Sequence, residues 1–332
     1  MPETKIGWAI DAELVSAIAG HRDVDYIHAC PRGRWRKAAA NPARWPQAAA
    51  ALRDFAGEIR EAGYEVSIDA QGLLVSALIP FAAGIKRRIG FAHRRELSHL
   101  FYTEKYVSKA QYFDPHRPHA GHMLALAGAI GCAGADHDIA LPAVAPHVRD
   151  GVAAMLGHGF AGCAPLVAIA PGTRWASKQW PAPYWEQLLE MILNATDAKV
   201  VLIGSGDDAP LTAQLARGRD RVLDLAGKTS LPQLYALLSR VPIVIAADTA
   251  PLHAAGAAHC AHLIGLYGPT PAARTGPLGS PDIRLLSATP NLSCQPCRRP
   301  RCRFATNQCM RAIAPSTVFA EVVRVLRSLA GS

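Results

Sequence analysis

The chain has 332 residues, with 35 Lys and Arg against 26 Asp and Glu, for a net charge of +9. Half of the residues are hydrophobic and 18% are charged, which excludes a disordered chain and supplies enough apolar material for two domains of ordinary size. No apolar run approaches the roughly 18 residues of a membrane-crossing helix, and the opening Met-Pro-Glu-Thr-Lys-Ile-Gly-Trp lacks the basic-then-apolar pattern of a secretory signal, so the expected compartment is the cytoplasm.

In chain order, Ile6 to Ile10 reads as a strand, followed by a helical pattern and a second strand at Val24 to Ala29. Pro31 to Lys37 is a compact cationic loop in which Arg34, Arg36 and Lys37 either face solvent or clamp carboxylates or phosphates. Leu52, Phe55, Ile59 and Ala62 recur at helical spacing, so Gln47 to Ala62 is a helix stopped by Gly63. Val66 to Ile68 is a strand, Asp69-Ala70-Gln71-Gly72 its exit turn, and Leu73 to Ala83 the helix beyond. Asp69 and Gln71 therefore stand where a parallel sheet binds ligands, although Asp and Gly also serve plain turns. Lys86 to Phe91 adds a third basic element. His116, His119 and His122 are three apart, but Pro115 and Pro118 disfavour the regular helix a metal triad would need. Two prolines in Ala140 to His147 mark a linker, with a domain boundary near residue 150.

Beyond it the pattern alternates regularly: strand Leu166 to Ala170, helix Tyr184 to Asn194, strand Lys199 to Ile203, helix Leu211 to Arg217, strand Val222 to Leu225, helix Leu231 to Ser239. The stretch Val241 to Thr270 follows. Its apolar strand ends at Asp248, Thr249 and Pro251 open a helix, and a second strand, His262 to Tyr267, closes at Gly268-Pro269. Thr317 to Leu329 is a final amphipathic helix. This rhythm predicts an α/β fold with a parallel sheet covered on both faces. Three loops at the carboxyl ends of strands, Thr173 to Lys178, Gly204 to Asp208 and Asp248 to His253, would open on one crevice. There Lys178 and the amides after Asp248 suit a diphosphate, Asp248 orients amides or bonds a ribose, and His253 either donates to a phosphate or is an ordinary helix residue. Gly204-Ser205-Gly206 completes neither a dinucleotide fingerprint nor a P-loop.

The charge excess lies in the second half, 18 cations to 16 anions over residues 1–150 and 17 to 10 beyond. Four of the later cations are Arg298, Arg299, Arg301 and Arg303. The balance favours an anionic partner: a phosphorylated sugar, an anionic membrane surface or nucleic acid. Cys30, Cys132, Cys163 and Cys260 are expected to be buried small residues. Cys294, Cys297, Cys302 and Cys309 form one cluster whose first spacing suits a metal knuckle and whose remainder fits no standard zinc pattern. It reads as structural thiols or a redox-sensitive loop ahead of a zinc or iron-sulfur site.

Pro171-Gly172-Thr173 with Lys178-Gln179-Trp180-Pro181, Gly204-Ser205-Gly206, Leu225-Ala226-Gly227-Lys228-Thr229, Asp248-Thr249-Ala250-Pro251-Leu252-His253 and Tyr267-Gly268-Pro269-Thr270 resemble, in order, the lipopolysaccharide heptosyltransferases of glycosyltransferase family 9. Arg34-Trp35-Arg36-Lys37 and Asp69-Ala70-Gln71-Gly72-Leu73 look most like the first heptosyltransferase. The resemblance implies a GT-B fold of two Rossmann-like domains with parallel sheets facing a central cleft, an acceptor domain over 1–150 and a donor domain over 151–332. It implies heptose transfer from ADP-L-glycero-D-manno-heptose to Kdo-lipid A at the cytoplasmic face of the inner membrane, with peripheral membrane contact, no nucleic acid, no cofactor and no catalytic metal. Thr173, Lys178, Asp248, Thr249 and His253 would surround the ADP, and Arg34, Arg36, Lys37, Asp69 and Gln71 would meet the acceptor. A heptosyltransferase II-like enzyme, or a nucleotide-sugar or core-binding protein without turnover, is the alternative. Ala250 stands where the family usually has glycine. Members begin with a strand and a Gly-Asp loop whose Asp is the base, and this chain looks as if it starts after that unit, so no catalytic residue is assigned.

Overall fold

The computed structural model describes residues 4–93, 95–132, 139–160, 162 and 164–331; the side chains of Arg36 and Ala39, and Cys163, lie outside that description. The chain falls into two compact units, residues 1–136 and 137–332. The division lies ahead of the boundary expected near residue 150 because the prolines of Ala140 to His147, read from sequence as the entry to a linker, lead straight into the helix Pro146–Phe160, which is broken at Gly157. Its Val152 and Leu156 are buried in the core of the second unit.

In the first unit β1 (Gly7–Asp11) and β2 (Tyr26–Cys30) form a parallel pair. β3 (Val66–Ile68), β4 (Arg87–Phe91) and β5 (Glu104–Tyr106) form a second parallel sheet. Among the described residues no ladder joins the two, where a single Rossmann-like sheet was expected. The segment read as a cationic loop is instead the helix Arg32–Ala39. Trp35 explains the difference: its ring is 7% exposed and packs edge-on against Phe55 of the helix Trp45–Glu61, so one apolar anchor turns a charged stretch into a packed helix. The third basic element is strand β4, and its cations are used internally. Arg87 pairs with Glu104 and Arg88 donates to the Phe101 carbonyl. Cys30 and Cys260 are buried as expected, whereas Cys132 is exposed.

The second unit holds six parallel strands: β6 (Leu166–Ala170), β7 (Lys199–Leu202), β8 (Val222–Asp224), β9 (Ile243–Ala247), β10 (His262–Leu266) and β11 (Asp282–Leu286). Their spatial order is β11-β10-β9-β6-β7-β8, which is the doubly wound arrangement with its reversal between β6 and β9. Every residue of β6 and β9 is buried. Ile243, Ile245 and Ala247 face one core, beside Trp185 and Val322, while Val244 and Ala246 face the other, beside Leu237 and Leu252. A strand covered on both faces needs a continuous apolar run, which is what β9 has. β11, not anticipated from the sequence, extends the edge by pairing with β10.

Candidate functional site

Because β6 and β9 are neighbours, the loops that leave their carboxyl ends leave side by side. After β6 the chain makes a single 3-10 turn, Ala176–Lys178, that brings Lys178 back over the sheet end. Its Nζ lies 2.8 Å from Oδ2 of Asp248 and donates at 3.0 Å to the Asp248 carbonyl. The ammonium also sits 4.8 Å from the centre of the Trp175 ring, a position that a cation holds by attraction to the aromatic face.

Asp248 is the fixed point of this group. Its side chain is 5% exposed. Thr275 donates to Oδ2 at 3.2 Å, and Nε2 of His253 stands 3.4 Å from Oδ1. Burial alone would raise its pKa, but the hydrogen bonds from His253 and Lys178, with the lysine charge, outweigh burial and hold the carboxyl at about 2. Thr249 occupies the N-cap position of the helix Ala250–Ala257 in extended geometry, yet its hydroxyl turns back to the Ala247 carbonyl and no side chain caps the helix. Pro251 has no amide hydrogen, and the amides of Leu252 and His253 donate to the Thr249 carbonyl at 3.1 and 3.4 Å, so the helix start offers a ligand the Ala250 amide and the positive end of the helix dipole. Ala250, at the position the resemblance gives to glycine, is the first helical residue, where negative φ suits alanine.

The remaining loops close around the same end of the sheet. Gly172 lies so close to Asp208 that a Cβ there would fall 1.8 Å from Oδ1. Gly227, at φ +71°, lets its chain pass over Gly206. Thr173 donates to the Trp175 carbonyl at 2.8 Å and holds the loop before Lys178. Lys178, Asp248, His253 and Thr249 are therefore brought together, with Thr173 in the adjoining loop. Sequence reasoning missed Thr275, Trp175 and Asp208. Trp175 had a signal, an aromatic three residues before the key lysine; Thr275 had none.

The acceptor candidates lie in the first unit and are not gathered in the same way. Arg34 and Lys37 are exposed and three apart on their helix; the Arg36 side chain lies outside the described residues. Asp69 is 7% exposed, and its carboxylate is fully used. It accepts from the amides of Gln71 and Gly72, both at 2.9 Å, from Ser76 Oγ at 2.8 Å and from Tyr102 Oη at 2.6 Å. It braces the turn, and Gln71 is the exposed member. Among the described residues no hydrogen bond or ion pair joins Arg34 or Lys37 to that turn. The expected irregularity near Pro118 gives way to a regular helix, His119–Gly128, with Pro118 at its N-cap and the buried His122 ring stacked on Tyr112. Among the described residues no three His, Cys, Asp or Glu stand together as a metal-holding group, and no helix is long and apolar enough to cross a membrane.

Residues 52–308 match the model of glycosyltransferase family 9 (heptosyltransferase). Lipopolysaccharide heptosyltransferase 1 of Pseudomonas aeruginosa is 26% identical over 311 residues, 92% of this chain and 80% of that protein. Among solved structures, E. coli ADP-heptose lps heptosyltransferase II superposes with a TM-score of 0.74 at 20% identity, over 99% of this chain and 92% of that one. E. coli heptosyltransferase WaaC with ADP-2-deoxy-2-fluoro heptose superposes with a TM-score of 0.69 at 19% identity, over 98% and 91%. The fold is the α/β GT-B class expected from the sequence.

Proposed function

The chain belongs to glycosyltransferase family 9, the heptosyltransferases, and from that membership we propose that it moves heptose from ADP-L-glycero-D-manno-heptose to the Kdo-lipid A inner core of lipopolysaccharide. The observation that carries the donor half of this reading is the meeting of Lys178, Asp248 and the uncapped start of the helix Ala250–Ala257 at the reversal of strand order. When the glycosidic bond to ADP breaks, negative charge builds on the diphosphate. A fixed ammonium and the positive end of the helix dipole, with the Ala250 amide at its tip, stabilise it without reorganising as the reaction proceeds. His253, 45% exposed on its side chain, is the third donor available to a phosphate oxygen. These donors need no metal ion to meet the phosphate oxygens, so transfer should survive removal of divalent ions.

The acceptor half rests on Arg34, Lys37 and Gln71, exposed groups of the chemistry that holds carboxylates and phosphates. Asp69 braces the turn that presents Gln71. No residue of the chain is assigned the base. Transfer to the first position is favoured by the likeness to a heptosyltransferase 1 that runs over 92% of the chain. Likeness in fold to heptosyltransferase II favours the second. The acceptor lipid places the reaction at the cytoplasmic face of the inner membrane, where the cationic segment 298–303 would meet anionic headgroups. The deciding assay offers ADP-heptose with Kdo-lipid A and, separately, with the singly heptosylated core. Product from the first substrate alone upholds the reading, product from the second alone replaces it with the second transfer, and ADP binding without product from either refutes turnover.

A further inference from the structure

The four clustered cysteines are used by nothing described above, yet all four line one cavity of about 220 Å³ in the second unit, with Ser177 and Phe304 among its other walls. Cys294, Cys297 and Cys302 are half-buried, whereas Cys309 is 8% exposed in the short helix Gln308–Arg311 with its sulfur against Gly268. The thiols differ in chemistry as well as in access. The amide of Phe304 bonds the Cys302 sulfur and lowers its pKa; burial opposes this, and the amides of Asn307 and Thr306 with the Thr306 hydroxyl add to the lowering. Burial pushes the Cys309 thiol up, and the other three sulfurs add to that.

The segment carrying these cysteines is hung on the loops of the candidate donor site. Ser177, buried and next to Lys178, donates its amide to the Pro300 carbonyl at 3.1 Å and its hydroxyl to the Arg299 carbonyl. Asn307 Nδ2 donates to the Ala176 carbonyl at 2.7 Å. On the other side Gln295 Nε2 donates to the Gly268 carbonyl and the Arg298 amide to the Pro269 carbonyl, both at 2.8 Å. Anything that moves residues 294–302 therefore moves the backbone beside Lys178.

We propose that this cavity is an oxidation site, in which Cys302 is the thiol that reacts first with a hydroperoxide and one of the pair Cys294 and Cys297 closes a disulfide with it. The Cys302 thiolate attacks the near oxygen of the peroxide, the O–O bond breaks, and the leaving hydroxide or alkoxide takes a proton. The resulting sulfenic acid is attacked by the second thiol, the S–S bond forms, the S–O bond breaks, and water leaves. Two thiols lose two electrons and two protons in all, and the peroxide receives them. Cys309, buried and least acidic, stays reduced. Closure changes the backbone at Cys302, two residues from the Pro300 carbonyl that holds the Ser177 amide.

The test exposes the reduced chain to hydrogen peroxide, blocks remaining thiols by alkylation and maps the linked peptides by mass spectrometry, with hydrogen exchange followed across residues 174–180. One disulfide containing Cys302 is expected, reversed by dithiothreitol, with exchange at the Ser177 amide about tenfold faster in the oxidised form, as local opening becomes easier. Cys302→Ser should form no disulfide at the same exposure, and the order of alkylation among the four clustered thiols of the untreated wild type, Cys302 ahead of Cys294, Cys297 and Cys309, gives the same information without a variant. The proposal is overturned if Cys302 stays reduced while another pair links, if Cys302→Ser closes a disulfide at the wild-type rate, if a co-purifying metal holds the thiols against oxidation, or if exchange at Ser177 does not change. None of these readouts requires donor binding, so they stand or fall apart from the proposed transfer.

Discussion

Replacing Lys178 by Met keeps the aliphatic stem beside Trp175 and removes the charge, and two separable losses should follow. The first is stability. Asp248 would keep a carboxylate that is 5% exposed, with Thr275 at 3.2 Å and His253 at 3.4 Å but without the ammonium at 2.8 Å. Breaking a buried ion pair costs about 3–5 kcal/mol when nothing else answers the charge, and the two surviving partners reduce this to about 2–3 kcal/mol. The second is affinity for ADP, which loses one charge-assisted contact and should weaken by about 10–100-fold. The double variant Lys178→Met with Asp248→Asn separates them. With both charges gone, denaturant unfolding should return to within about 1 kcal/mol of wild type, while calorimetric titration with ADP should remain as weak as in the single variant. Recovery of ADP affinity in the double variant would show that Lys178 only neutralises Asp248, and wild-type affinity in the single variant would remove the lysine from the donor site altogether.

Acid titration probes the same carboxylate. Its folded pKa of about 2 lies below the ordinary 3.8, so its contribution is complete above about pH 4 and is lost as pH falls through about 2; Asp248→Asn should remove about 2 kcal/mol of the wild-type loss across that window, read by urea unfolding. His253→Ala should weaken ADP binding by about 3–10-fold and cost about 1 kcal/mol of stability, because the side chain is 45% exposed but its hydrogen bond helps hold the buried Asp248 carboxylate. Asp69→Asn should destabilise the first unit by about 1–3 kcal/mol, because four donors converge on its carboxylate, and leave ADP affinity unchanged. Arg34→Ala with Lys37→Ala should raise the acceptor KM about tenfold and shift unfolding by less than about 0.5 kcal/mol, as both groups are exposed.

The parts of this molecule that could be read from the chain are those where one local pattern has one structural meaning. β9 is an unbroken apolar run closed by Asp248 and Thr249, and only a strand buried on both faces fits it. The contact between Lys178 and Asp248, 70 residues apart, was legible at one remove, because loops leaving adjacent parallel strands must meet. The helix Arg32–Ala39 was hidden because its charges are conspicuous and its single anchor, Trp35, gains meaning only through Phe55. Asp69 shows the same limit at a single side chain. The turn that it starts is visible in sequence, but Tyr102, 33 residues on, uses the remaining lone pair and changes it from a ligand group to a brace. β11 was missed for a related reason: its Asp282 is satisfied by His262 and Arg324, partners that no local window contains.

Lys178 and Asp248 together are close to neutral, and this determines where the attraction for a diphosphate must originate. A carboxyl held at about 2 does not give up its charge at any pH where the protein works, so it cannot release the lysine by taking a proton. An arriving phosphate must share Nζ with Asp248, which is sterically open to it because an ammonium has three donors and Asp248 takes two of them, through its carbonyl and Oδ2. Lys178 then supplies direction more than net charge, and the surplus positive potential falls to the start of the helix Ala250–Ala257, where no side chain caps the dipole. This division accounts for an acidic residue at the centre of the proposed donor site. Asp248 fixes the lysine on the line where β6 and β9 end, and the helix start beside it supplies the field.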